Sequence, residues 1–317
     1  MLRTSSSSSE EWNTNPLVRG SFLPGDAWQN TLGAAFNASI LRLEMDGIPF
    51  GAVTCFRAGP LSIGYMNFPS GLPLTPICSP LPSPFQMRDA VASAGLDILR
   101  FKLPFDDPRF QTKRTNRTFI DNLKQWSASE RTKSRRSNNK LRRGNICIQP
   151  ANSKDTTAIH ELYTATVRRH DGQLRYPLAY FRELINLSRI DQRNRIRVAR
   201  PTDAEDGPLV GFNAFTVGET SGTYLHGGHN PAYRSLYAAD QLFLTMIQET
   251  RRAGANLLDL LASPQDQPSL RHYKESWGGR TQMLFQYSVG QSAHREWALR
   301  AAEWIDHHLG GRISGRG

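Results

Sequence analysis

Residues 224–281 read YLHGGHNPAYRSLYAADQLFLTMIQETRRAGANLLDLLASPQDQPSLRHYKESWGGRT. Ala239, Leu242, Phe243, Met246 and Ile247 recur at helical spacing across residues 237–252, which marks one buried helix face. Ala253-Gly254 closes that helix, with Arg251 and Arg252 in its last turn, where the helix dipole favours cations. Residues 256–261 are nearly all apolar, as in a strand buried on both faces. Residues 264–268 form a turn, and residues 269–277 a short helix closed by Gly278-Gly279. With a strand at 223–227 before it, the stretch is a right-handed strand–helix–strand unit. Chemistry in such a unit collects at the carboxyl ends of the strands.

The whole chain has 317 residues, of which 38% are apolar, enough for two compact domains or one large one. Cys55, Cys78 and Cys147 are far apart and odd in number, which favours buried thiols in a reducing compartment over a disulfide framework. The N-terminus lacks a charged-then-apolar leader and no apolar run is long enough to span a bilayer, so the expected location is cytoplasmic. The net charge of +11 points to a polyanionic partner: nucleic acid, a phosphorylated precursor or an anionic membrane surface.

Residues 1–30 open with five serines and carry little periodicity, so they are expected to be flexible, the first dozen disordered. A hairpin follows around Asp46-Gly47, between strands at 35–44 and 50–57. Another strand spans 61–68, a proline-rich loop 69–84, a short helix 86–94 and a strand 97–103. The order then repeats. Gly47-Ile-Pro-Phe-Gly51 parallels Gly207-Pro-Leu-Val-Gly211, and Ala94-Gly95 before one apolar strand parallels Ala253-Gly254 before another. Both pairs have nearly the same offset, about 160 residues, which favours duplication. The expected division is a domain over 31–123, a basic linker helix over 124–144, a second domain over 145–290 and a terminal helix and tail over 291–317. Trp297, Ala301, Trp304 and Ile305 mark the docking face of that terminal helix. Between Lys124 and Arg143 there are eight Lys or Arg and one acid, Glu130, with neither Pro nor Gly. Such a run is either a solvated helix or a phosphate-facing surface.

The P-loop, H-E-x-x-H, C-x-x-C and G-x-S-x-G signatures are absent. His226-Gly-Gly-His229 has no third ligand near in sequence, which favours a structural or substrate-contacting histidine over a metal site; no metal and no bound cofactor are expected.

The residues Arg251 to Gly254, Leu257-Leu258-Asp259-Leu260 and Tyr273-Lys274-Glu275-Ser276-Trp277-Gly278 resemble the last part of the acyl-CoA N-acyltransferase-like (GNAT) domain of Fem-type proteins. The family element is F-K-x-x-[WF]-G, and Tyr-Lys stands here for Phe-Lys. The resemblance covers most of residues 35–290 and implies an α/β (α+β) chain of tandem duplicated GNAT-like domains with mixed central sheets. It also implies peptidyltransferase activity: an amino acid passes from aminoacyl-tRNA, the co-substrate, to an amine on a peptide, a cell-wall precursor or a peptide natural product. Two alternatives stay open. One is an N-acyltransferase using acyl-CoA or an acyl carrier protein; the other is a non-catalytic GNAT-like scaffold that binds RNA. A coenzyme A enzyme holds pyrophosphate with a Q/R-x-x-G-x-G/A turn at the start of its crossover helix. This chain has Asn230-Pro231 there, and Pro231 removes a donor.

Transfer from an activated ester needs positioning, oxyanion stabilisation and a proton acceptor. Lys274 suits the oxyanion or the terminal phosphates, and Asp259 suits the amine proton. The resemblance assigns acceptor-phosphate contact to Thr166, Arg168, Arg169 and His170, and Arg forks suit phosphate. It lacks a Lys ahead of the first hairpin, with Lys102 the nearest substitute. Tyr224, His226 and Tyr273 are the remaining substrate-binding candidates. Arg131, Lys133, Arg135 and Arg136 are the candidates for tRNA phosphates, since the family often has a basic helix at that place.

Overall fold

The computed structural model describes residues 2–74, 81–127, 135, 139, 146–170, 172–202 and 207–305. The chain forms two units: residues 1–7, 38–114 and 284–317 make the first, residues 8–37 and 115–283 the second.

In the first unit, β1 (Leu2–Thr4), β2 (Ser39–Met45), β3 (Ile48–Ala58) and β4 (Leu61–Met66) run antiparallel in that order. The β2–β3 turn is Asp46-Gly47, with φ of 54° and 80°, the left-handed pair that a two-residue hairpin requires. Helix α4 (Pro84–Ser93) crosses to β5 (Ile98–Leu103), which lies parallel to β4. Ser83 caps α4 through a capping box with Gln86. β12 (Arg280–Gly290) completes this sheet antiparallel to β5.

The second unit repeats that order. β7 (Ile146–Pro150), β8 (Asn194–Pro201), β9 (Gly211–Val217) and β10 (Ser221–His229) are antiparallel neighbours. Helix α7 (Ala238–Arg252) crosses to β11 (Leu257–Ala262), parallel to β10. Its Leu242, Phe243, Leu244, Met246 and Ile247 are buried, each contributing about 1.5–3 kcal/mol relative to exposure. β6 (Thr112–Ile120) completes this sheet antiparallel to β11. Helices α5 (Thr156–Arg169) and α6 (Leu178–Ile190) cover the face opposite α7, and α8 (Pro268–Ser276) follows β11.

The duplicated pattern is therefore real: β2-β3-β4-α4-β5 matches β8-β9-β10-α7-β11, a tandem of GNAT-like mixed sheets. One feature departs from simple duplication. β6 follows β5 in the chain yet pairs with β11, and β12 follows β11 yet pairs with β5. The two repeats exchange their last strands, which periodicity in a sequence does not report.

Four expectations need correction. Residues 2–30 carry regular structure: β1 is followed by α1 (Ser9–Thr14), α2 (Pro16–Gly20) and the start of α3 (Asp26–Phe36). The serine run carries caps, since Ser8 accepts from the Glu11 N–H and Glu11 returns the bond to the Ser8 N–H. Trp12 is buried behind it and donates to Pro24 O. The strand expected from residue 35 starts at Ser39, because α3 runs to Phe36 and Asn37 ends it with φ of 50°. In α9 (Ala293–Ile305), Leu299 is buried while Trp297 is exposed and stacks on His294. The helix docks on the Leu299 stripe beside Leu61, Ile63 and Ile98. Cys55 is buried, but Cys147 is exposed; Cys78 lies outside the described residues, as does most of the basic linker. No helix among the described residues is long and apolar enough to cross a membrane.

Candidate functional site

β10 and β11 pair only from Ser221↔Leu257 to Thr223↔Asp259. From Tyr224 onward β10 continues past the end of that pairing, and a bulge between Tyr224 and His226 shifts its register against β9. A bulge re-aims side chains and is common beside functional sites. β11 has its own irregularity between Asp259 and Ala262, where Leu261 takes φ of +60°. A β-branched or bulky residue in that region is strained and persists where its surroundings hold it; Asp259 Oδ1 accepts the Leu261 N–H at 2.9 Å.

The corresponding opening in the first unit is filled by its own chain. Beyond the Tyr65↔Arg100 pair, the segment after β4 turns back, and the Lys102 N–H donates to Gly71 O at 2.7 Å. Lys102 lies along Gly71, its Nζ near Ser70 O. Asn67 locks this insert by accepting from the Ala52 N–H and donating to Leu72 O. Lys102 is thus a packing residue of the plug. The second unit is the repeat whose strands diverge without such an insert from β10 itself.

At the end of β11, Asp259 faces Arg117 of β6. Nε donates to Oδ1 at 2.6 Å and Nη2 to Oδ2, with side-chain exposures of 2% for Arg117 and 6% for Asp259. Lys274 lies beside this pair. It is 3% exposed and its Nζ donates to Ala262 O. Burial pushes the Lys274 ammonium down to about 7, partly countered by Asp259 and reinforced by the Arg117 charge. One expectation changes here. Lys274 is buried because α8 tucks its C-terminal turn against β11. Asp259, expected to receive the amine proton, has both oxygens held by Arg117, and Oδ1 also accepts the Leu261 N–H. Arg117 was not singled out, and its signal was indirect: an aspartate inside an apolar strand requires a cation from a neighbour.

Tyr224 and Tyr273 both pack on Phe243, and Tyr273 also on Trp277. Burial raises both phenols, and the Asp240 carboxylate and Tyr224 raise Tyr273 further. Asp240 sits in the first turn of α7. The preceding Tyr237 has φ of 53° and provides no side-chain cap, and a short 3-10 turn occupies Pro231–Leu236. Gly227 is required beneath Tyr224, since a Cβ there would lie 2.3 Å from its hydroxyl.

His226 points to the other side of the sheet. Its Nε2 and the Tyr180 hydroxyl are 2.9 Å apart, and the rings of Tyr163, Tyr176 and Phe181 enclose it. Burial pushes its pKa down to about 3, so it is neutral. The expectation that His226 joins Lys274 in the site is therefore not met: the bulge turns it into the α5–α6 layer. Thr166 approaches β10 at Gly228, where a Cβ would meet its Oγ1 at 3.0 Å. That Oγ1 is buried without a hydrogen-bond partner among the described residues. Arg168, Arg169 and His170 are exposed at the end of α5. Burial lowers the His229 pKa, with Arg169 and His170 adding to the effect and Asp240 opposing it. The end of α5, the end of β10 and the start of α7 thus share one electrostatic neighbourhood. Arg135 is exposed, whereas Arg131, Lys133 and Arg136 lie outside the described residues. No group of three or more His, Cys, Asp or Glu that could hold a metal ion occurs among the described residues.

Residues 128–275 match the family model for the acetyltransferase (GNAT) domain. A crystal structure of FemX superposes with a TM-score of 0.63 at 12% identity, covering 90% of this chain and 97% of that one. The fold is similar to that of FemX. The C-terminal domain of a putative lysylphosphatidylglycerol synthetase from Agrobacterium fabrum gives 0.56 at 14% identity, over 94% and 98% of the two chains. A conserved protein of unknown function from Bacteroides thetaiotaomicron gives 0.54 at 9% identity, over 91% and 100%. No curated protein matches the chain. The GNAT match over residues 128–275 and the FemX-like fold of the whole chain both fit an N-acyltransferase scaffold.

Proposed function

We propose that the chain transfers an aminoacyl group from aminoacyl-tRNA to the amine of a peptide, a cell-wall precursor or a peptide natural product. The observation that carries this reading is the start of α7. A coenzyme A enzyme needs free N–H groups there for pyrophosphate. Here Asp240 places a carboxylate in the first turn and Pro231–Leu236 replaces the glycine turn. A like charge at that end disfavours a pyrophosphate, whereas a tRNA ester brings its phosphates from elsewhere. The basic run from Lys124 to Arg143 suits the tRNA backbone, and the exposed Arg168, Arg169 and His170 suit an anionic acceptor.

In the reaction the amine nitrogen attacks the ester carbonyl, and the ribose oxygen leaves. Lys274, with a pKa near 7, takes the proton of the attacking amine and returns it to the leaving oxygen, as a base matched to its working pH should. The Ala262 carbonyl, which accepts from Nζ, positions it. Backbone N–H groups of β10 past Thr223 suit the oxyanion. The GNAT description of the matched domain favours acyl-CoA as the second reading, and one assay separates the two. Transfer from charged bulk tRNA should vanish after RNase treatment and should not return with acetyl-CoA. Transfer from pure acyl-CoA that survives RNase would establish the second reading instead.

A further inference from the structure

The first unit contains a cavity of about 290 Å³ beside the first turns of α4 and α9, near the lower end of the roughly 300–1,000 Å³ range of small-molecule clefts. Arg88, Arg109 and Arg300 line it, with Glu296 as the one carboxylate among its lining residues. Pro84, Phe110 and Val289 give it an apolar wall. All of these residues belong to the unit that does not contain Lys274.

The guanidinium groups differ in how they are held. Arg109 is fixed from behind: Nε donates to Asp107 Oδ1 at 2.9 Å and Nη2 to Asp107 Oδ2 and Leu81 O. Asp107 is buried, so the pair acts as a rigid post at the rim. Arg88 reaches Glu296 only at 3.5 Å, and Glu296 accepts a second bond from the Gly290 N–H at 3.1 Å. Arg300 donates to the neutral amide oxygen of Gln111. Three guanidinium groups thus converge on one space with two carboxylates to balance them, Asp107 and Glu296. Cations of like charge converge at a cost unless an anion enters between them, and guanidinium forks match oxyanions geometrically. Phe110 and Val289 would lie against whatever body the anion carries.

We propose that this cavity binds an organic oxyanion, a phosphate or carboxylate group joined to an apolar body, independently of the transfer site. The probes are phenyl phosphate, benzoate and the neutral benzyl alcohol, titrated calorimetrically into the full chain. At least one oxyanion should bind saturably and more tightly than benzyl alcohol, and the tighter of the two identifies the head group. Arg88→Gln with Arg300→Gln should weaken that binding about tenfold or more, since two charge-assisted donors are lost. Arg300→Gln alone, on an exposed side chain, provides the version whose folding is not in question and should weaken binding in the same direction. Equal binding of benzyl alcohol, unaltered binding by the arginine variants, or failure of both oxyanions to saturate would overturn the proposal.

Discussion

Replacing Asp259 by Asn removes one negative charge and little volume from beside the buried Arg117 guanidinium. Arg117 and Asp259 have side-chain exposures of 2% and 6%, so solvent does little to screen them. The carboxylate is bound through both oxygens, to Nε at 2.6 Å and to Nη2, and Oδ1 also holds the strained Leu261 N–H. Asn retains an oxygen for one of these bonds but leaves the guanidinium without a counter-charge, and Lys274 loses the group that favours its charged form. Removing one member of a buried pair costs about 3–5 kcal/mol, a large part of the ~5–15 kcal/mol stability of an ordinary domain. The measurement is urea denaturation of wild type, Asp259→Asn and the double variant Arg117→Met with Asp259→Leu. The double variant should recover most of the loss, because well-packed apolar residues replace a buried pair at little or no cost. A loss below about 1 kcal/mol for Asp259→Asn, the value of an exposed pair, would refute the argument: the pair would then be solvated.

Further outcomes follow from the same geometry. Lys274→Ala should lower turnover by about two to three orders of magnitude if the lysine acts on the reacting atoms, with a smaller change in donor affinity; normal turnover would remove it from the mechanism. As a base with its pKa near 7, Lys274 makes activity rise with pH through that value, whereas a cation holding an oxyanion makes activity fall, so the sign of the pH–rate profile separates the two roles. The same residue predicts a stability slope: its folded pKa of about 7 lies below the ordinary 10.5, so unfolding takes up a proton between these values and stability falls as pH drops from 10.5 to 7, then levels off. Lys274→Met should remove this slope, as read from denaturation at a series of pH values; an unchanged slope would mean an unshifted lysine. Charge reversal of Arg131, Lys133, Arg135 and Arg136 should flatten the salt dependence of tRNA binding by about 0.7–0.9 in log–log slope for each lost phosphate contact, and an unchanged slope would make the run a solvated face.

What the sequence discloses and conceals divides along local and non-local lines. The helix of residues 238–252, the strand of 257–262 and the Tyr273-Lys274 helix are written in apolar period and glycine caps, which act within a few residues. The repeat is legible for the same reason, since turns such as Asp46-Gly47 are local devices. Arg117 is hidden because its importance depends on β6 lying beside β11, a pairing across 142 residues that results from strand exchange between repeats. His226 was misplaced by one bulge residue: register has a period of two, so a single insertion sends every later side chain of β10 to the other face. Asp240 is, by sequence, an acid at a helix start, where the dipole favours it, and only its nearness to Tyr273 and His229 gives it a place in the site. All three belong to the second unit, where β10 and β11 part after three pairs; Arg117 and Asp240 bring charge to that side, whereas His226 packs among aromatic rings on the other. In the first unit the same opening is closed by Asn67, Gly71 and Lys102. Two copies of one fold have thus been driven apart: one copy is sealed by its own loop, and the other is held open around a buried lysine that its burial brings near its point of titration.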